Sequence, residues 1–229
     1  MYAVHPTERI TVPDHRRLSL AAGVLYLLTF VTSIPAAALY VPLLAGGAHP
    51  DPSPTATGAV LEIVLAVSCI GTAVVLAPVV RRVSEVAALG FVAARTTEAA
   101  LILVGVATVL TLSALRVAGA AADDPSAELL VEAHRWAFLL GPGLIPAINA
   151  LCLAPALYRG RLVPRAIPIV GMIGIPLLLA SATATVFGVF EQTSPLAAAA
   201  AAPIALWELS LGLWLTFAGF RNTAVDALV

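Results

Sequence analysis

The sequence predicts an all-α polytopic membrane bundle of six transmembrane helices with both termini on the cytoplasmic side. Three observations carry this. Sixty percent of the residues are apolar and only 11% are charged, against about 25% charged in an ordinary soluble domain, whose surface must face water. The chain divides into six apolar runs, each at least as long as the roughly 20 residues that cross the hydrocarbon layer. The arginines gather at one set of run ends and the acidic residues at the other.

The first run covers residues 18–43 and follows Glu8, Asp14, Arg16 and Arg17. It exceeds the roughly 7–15 residues of a signal-peptide core, so it reads as a retained span. The second covers 57–80, after a turn-rich stretch from Gly46 to Ser53. The third, 86–115, follows the short basic connection Arg81–Glu85, and the fourth, 129–158, follows Asp123, Asp124 and Pro125. The fifth, 166–190, begins after a second basic connection, Arg159–Arg165, and the sixth, 198–220, follows the polar break at Glu191–Pro195. The expected organisation is a cytoplasmic segment over 1–17, one transmembrane domain over 18–221, and a cytoplasmic tail over 222–229.

Orientation follows from charge, because short cytoplasmic loops collect Arg and Lys. Arg9, Arg16, Arg17, Arg81, Arg82, Arg159, Arg161, Arg165 and Arg221 fall on one side; Asp51, Asp123, Asp124 and Glu191 fall on the other. With high Ala, Val, Leu and Arg content, the expected location is a bacterial inner membrane. Prolines interrupt several runs, and Gly141-Pro142-Gly143 with Pro146 is the most disrupted stretch. A membrane proline frees a carbonyl that a neighbour or water must satisfy, so this segment reads as a packing kink, a cavity wall or a hinge.

Ionisable side chains inside the runs are the functional candidates, since a charge at the bilayer centre costs at least about 2.5–3.5 kcal/mol. Arg95 and Glu98 share a face of the third helix, roughly 14 and 18 Å above its start. Asn149 lies at a similar depth in the fourth, so an Arg95–Asn149 contact is expected. Glu62, His134 and Glu208 lie nearer the opposite boundary of the even-numbered helices. Were those helices adjacent, the three would meet in a cavity beneath Trp136 and Trp207. Glu62, Glu98, His134 and Glu208 are therefore the candidate catalytic groups, and Arg95, Trp136, Asn149 and Trp207 the candidate substrate-binding groups. Each has a plainer reading, as an ion pair, an interfacial residue or an aromatic-belt anchor.

The absent chemistry narrows the field. There is no lysine, hence no Schiff-base attachment. No metal-ligand spacing, phosphate loop or serine-nucleophile motif occurs, so neither a metal nor a cofactor is expected. Cys69 and Cys152 lie in apolar runs and read as small buried hydrophobes. Ser68 and Ser181 read as bonding their own helix backbone. The basic residues form loop clusters that topology already explains, so nucleic-acid binding is not expected. The expected partners are the lipid bilayer and a hydrophobic small molecule; no oligomeric state is specified.

Five strings carry a family resemblance: Leu25 to Pro35 (LYLLTFVTSIP), Ile70 to Val74 (IGTAV), Phe138 to Gly143 (FLLGPG), Tyr158 to Arg165 (YRGRLVPR) and Pro203 to Trp214 (PIALWELSLGLW). Over about Arg17 to Arg221 the chain resembles a bacterial integral-membrane family catalogued as domain of unknown function 4386. The resemblance implies a compact multi-pass bundle and no assigned activity. Family-like segments read His-Asp-Trp where this chain has His134-Arg135-Trp136, so no acidic role carries over to position 135. Three functions fit the residues: first an intramembrane acid–base enzyme, of isomerase or cyclase type, on a lipid-like or terpenoid molecule; then a small-solute or proton-coupled transporter; then a non-catalytic binding or structural protein.

Overall fold

The computed structural model describes residues 12–46, 51–121 and 123–221. The expected cytoplasmic segments fall largely at 1–11 and 222–229, outside the described residues. Seven helices form: α1 (Val12–Leu44), α2 (Ser53–Arg81), α3 (Glu85–Val117), α4 (Pro125–Leu140), α5 (Ile145–Arg159), α6 (Ala166–Val186) and α7 (Pro195–Phe217). Helices α4 and α5 make one span, giving six long enough and apolar enough to cross a membrane.

Local signals set the boundaries. Ser84, Asp124 and Ser194 cap α3, α4 and α7 by accepting backbone N–H bonds, which satisfies donors that the first turn leaves orphaned. The fourth span is interrupted at Gly141–Leu144, inside the Gly-Pro-Gly stretch, and α5 restarts with Pro146 in its first turn, where a missing N–H costs nothing. The fifth span ends at Val186, four residues short of the expected limit. Phe187–Phe190 remains apolar, but Gly188 adopts φ +69, a left-handed conformation that terminates helices.

Each span packs on the next in chain order, and α7 closes on α1, so the six spans form a ring. Outward-facing Val31, Ile34, Val67 and Leu89 are largely exposed. An apolar exterior around a core that encloses a few charged and hydroxyl groups suits a lipid solvent, in which association relies on close packing and internal hydrogen bonds. The closing α1–α7 contact depends on Gly23: a Cβ there would lie 2.5 Å from the Thr216 nitrogen and 2.8 Å from the Gly212 oxygen. Both are backbone atoms, so the neighbour cannot swing aside. Gly23→Val should therefore cost about 1–3 kcal/mol or more by overpacking, read as an earlier unfolding midpoint in detergent.

The ring also fixes the ends. Arg16, Arg17, Arg81, Arg82, Arg159, Arg161, Arg165 and Arg221 all sit at one end of the bundle, while Asp51, Asp123, Asp124 and Glu191 sit at the other. Arg16 donates to the Leu215 and Thr216 carbonyls at 3.2 and 2.9 Å, placing a cation on the carbonyl end of α7.

Candidate functional site

The centre of the ring is filled by one guanidinium. Arg95 of α3 is 1% exposed and lies about 15 Å from the helix start at the 1.5 Å rise. Its Nη1 donates to Glu98 Oε2 at 3.0 Å, and its Nη2 reaches across the ring to Glu208 Oε1 of α7 at 2.6 Å. Asn149 of α5 donates from Nδ2 to the same Glu98 oxygen at 2.7 Å. The expected Arg95–Asn149 contact is thus indirect, with Glu98 between them. Cys69 Sγ of α2 lies 3.7 Å from Nη1. The rings of Tyr26 on α1 and Phe91 on α3 stand 5.0 and 5.8 Å from the guanidinium carbon, within cation–π range. Five spans therefore converge on one buried cation.

The two carboxyls are not equivalent. Glu98 accepts two bonds on one oxygen and is 5% exposed. Glu208 accepts one bond, from Arg95, and its side chain also lines a partly open cavity of about 250 Å³. That is a little below the roughly 300 Å³ at which common ligand pockets begin. Among the described residues nothing bonds the second oxygen of either carboxyl. The cavity lies between α1, the α4–α5 break, α6 and α7, and its walls are mainly apolar, including Phe30, Phe138 and Leu178. Polar groups in the wall are Ser181, Thr185, Gln192 and Glu208. Ser68 bonds its own helix at Val64 as expected, whereas Ser181 makes no such bond among the described residues and faces the cavity instead.

Glu62 and His134 form a second polar group, nearer the acidic end. The Tyr40 hydroxyl of α1 stands beside the Glu62 carboxyl of α2, and the Tyr40 ring meets the His134 ring edge-on at 5.8 Å. His134 Nδ1 is 3.2 Å from the Gly105 carbonyl of α3, so the tautomer with hydrogen on Nδ1 donates there. A Cβ on Gly105 would stand 3.5 Å from that nitrogen, in ordinary van der Waals contact. Between the two polar groups Leu65, Ala66, Ala99 and Ile102 form a buried apolar layer, about 10 Å deep along α2 from Glu62 to Cys69.

The structure therefore corrects the expected meeting of Glu62, His134 and Glu208. Even-numbered spans alternate around the ring and touch only marginally, so Glu208 joins Arg95, Glu98 and Asn149 while Glu62 and His134 stay apart. Of the four candidate catalytic residues, only Glu208 lines the cavity. The two tryptophans do not roof it. Trp136 is 40% exposed, with the Arg135 guanidinium 5.6 Å from its ring. Trp207 is fully buried against α6, where a Cβ on Gly171 would lie 2.7 Å from the indole.

The family model described as Domain of unknown function (DUF4386) matches residues 21–219. The chain belongs to that family. No curated protein and no solved structure matches it. The DUF4386 match takes in all eight candidate residues and both polar groups, so the site lies within the family domain. It equally takes in Tyr26 and Tyr40, which sequence reasoning passed over, and Cys69, which it read as a small hydrophobe. Cys69 has a faint signal in helical spacing, seven residues from Glu62 on the same face of α2.

Proposed function

We propose that this DUF4386 protein is an intramembrane acid–base enzyme, of isomerase or cyclase type, acting on a lipid-like or terpenoid molecule in the cavity at Glu208. The observation that supports this is the double position of Glu208, which is anchored to Arg95 through Oε1 and lines an apolar cavity. A proton held on Oε2 passes to one carbon of a substrate double bond. The π pair forms the new C–H bond, the O–H pair stays on oxygen, and a carboxylate faces the carbocation. Loss of a proton from an adjacent carbon to the same oxygen leaves its electron pair as a shifted double bond. Attack by a second double bond before that loss closes a ring instead. The proton is returned and no co-reactant is consumed.

Glu208 thus takes both the acid role and the base role, and His134, which lies away from the cavity, takes neither. Arg95 holds the carboxyl in one orientation throughout, and the apolar walls exclude water that would trap the cation. The test is isotope exchange. Purified protein in phosphatidylcholine nanodiscs is incubated with geraniol in D₂O, and the recovered alcohol is analysed by mass spectrometry. Carbon-bound deuterium is expected with the unaltered protein; none above empty discs removes the acid–base reading.

We further infer that both termini face the cytoplasm of a bacterial inner membrane, from the arginines gathered at one end of the ring. A C-terminal green fluorescent protein fusion should fluoresce and a C-terminal alkaline phosphatase fusion should be silent. The reverse pattern inverts the bundle.

A further inference from the structure

The central cluster has an imbalance of charge. Arg95 is the one arginine among the buried residues described, and two carboxyls, Glu98 and Glu208, bond to it. With both ionised the cluster carries one negative charge in excess, in a setting where unpaired charge is costly. Asn149 does not alter the count, because it is neutral and donates to Glu98. The excess is directed to one place. Among the described residues each carboxyl has one oxygen without a hydrogen bond, but Glu98 is held by two donors and Glu208 by one, and of the two only Glu208 has its side chain in the cavity wall.

The cavity wall matches that sign. Among the described residues Glu208 is its one charged residue, and no arginine or histidine lines it. Its hydroxyls, on Ser181 and Thr185, can accept as well as donate. Its aromatic residues, Phe30 and Phe138, are the kind whose faces attract cations. An anionic guest would meet a carboxylate with nothing to pair with it. A neutral guest suits the cluster only while Glu208 keeps its proton, and does nothing for the carboxylate that remains once the proton has been given up.

We infer that the cavity is built for a guest that carries one positive charge on an otherwise apolar body, an aliphatic ammonium being its stable form. The inference deepens the proposed acid–base reading of the same site, because the carbocation of that reaction carries the same charge in the same place. An ammonium guest is then a ground-state mimic of the intermediate and binds ahead of the neutral compound.

The experiment uses the full chain in phosphatidylcholine nanodiscs at neutral pH, with geranylamine, geraniol and geranic acid as three probes sharing one carbon skeleton. Binding is followed by calorimetry, with partition into empty discs subtracted. Geranylamine is expected to bind at least tenfold more tightly than geraniol, and geranic acid most weakly. Glu208→Gln should remove the preference of amine over alcohol, while the exposed Glu132→Gln keeps it. Ala201→Phe, which fills the cavity and leaves the Arg95–Glu208 bond in place, should lose all three probes and covers the case in which Glu208→Gln fails to fold. Alcohol or acid binding as tightly as amine overturns the charge inference and leaves the acid–base reading to the deuterium test. Amine preference without deuterium exchange does the opposite: the charge inference stands and the reaction falls. Absence of saturable binding by all three overturns the cavity as a binding site.

Discussion

Replacing Arg95 with methionine is expected to destabilise the bundle by about 3–5 kcal/mol, the usual cost of leaving a buried charge without its partner. Two carboxyls would lose their shared cation at once, and the Tyr26 and Phe91 rings would lose the group they face. The measurement is unfolding by sodium dodecyl sulfate in dodecyl maltoside, followed by loss of helical circular dichroism. Adding Glu98→Gln and Glu208→Gln to the same chain should recover most of the loss, since a neutral polar core no longer needs a cation. The charge swap Arg95→Glu with Glu98→Arg makes a sharper comparison. It preserves composition on α3 but sets a carboxyl opposite Glu208, so it should be about as unstable as Arg95→Met. A swap as stable as the unaltered protein would show that the charges serve packing alone.

Glu208→Gln should separate chemistry from folding. The amide oxygen can still accept from Arg95 Nη2, so the ring stays closed and the unfolding midpoint moves little. The amide has no proton to give, and positioned acid–base groups contribute about 10²- to 10⁴-fold to rate. Deuterium entry into geraniol should fall by that factor. If exchange and stability decline together, Glu208 is a structural counter-ion and its place in the cavity wall is incidental. Retention of full exchange in a well-folded variant would move the chemistry elsewhere.

Much of this architecture was legible in the residues. Six runs of sufficient length, basic and acidic ends, and the Gly141–Pro146 break all reflect local composition, and the structure reproduces them with shifts of a few residues. The depth of Arg95, Glu98 and Asn149 also followed from helical rise alone. What local reasoning could not supply was which spans adjoin. Glu62 and Glu208 sit in similar strings, AVLEIVL and ALWELSL, and looked like companions. Ring closure sets Glu208 against Arg95 and sends Glu62 to Tyr40 instead. Tyr26 and Tyr40 were missed because an aromatic in a membrane run usually marks the interface or fills space. Cys69 was read as a small hydrophobe, since nothing near it in the chain announces a guanidinium 26 positions away.

The closed ring has a consequence for how the chain could be reordered. Its first and last spans are neighbours, and they begin and end at the same end of the bundle, where Arg16 holds the Leu215 and Thr216 carbonyls. The connections between α2 and α3 and between α5 and α6 lie at that same end. Joining the two termini and opening the chain at either connection would give a circular permutant in which every span keeps its direction. Such a permutant moves whole hairpins and leaves Arg95, Glu98, Asn149 and Glu208 on their original helices. Opening the chain at an acidic-end loop instead would put both new ends at the opposite end of the bundle. The bundle is thus built of three interchangeable starting points, and which hairpin enters the bilayer first is a matter of gene order rather than of the finished shape.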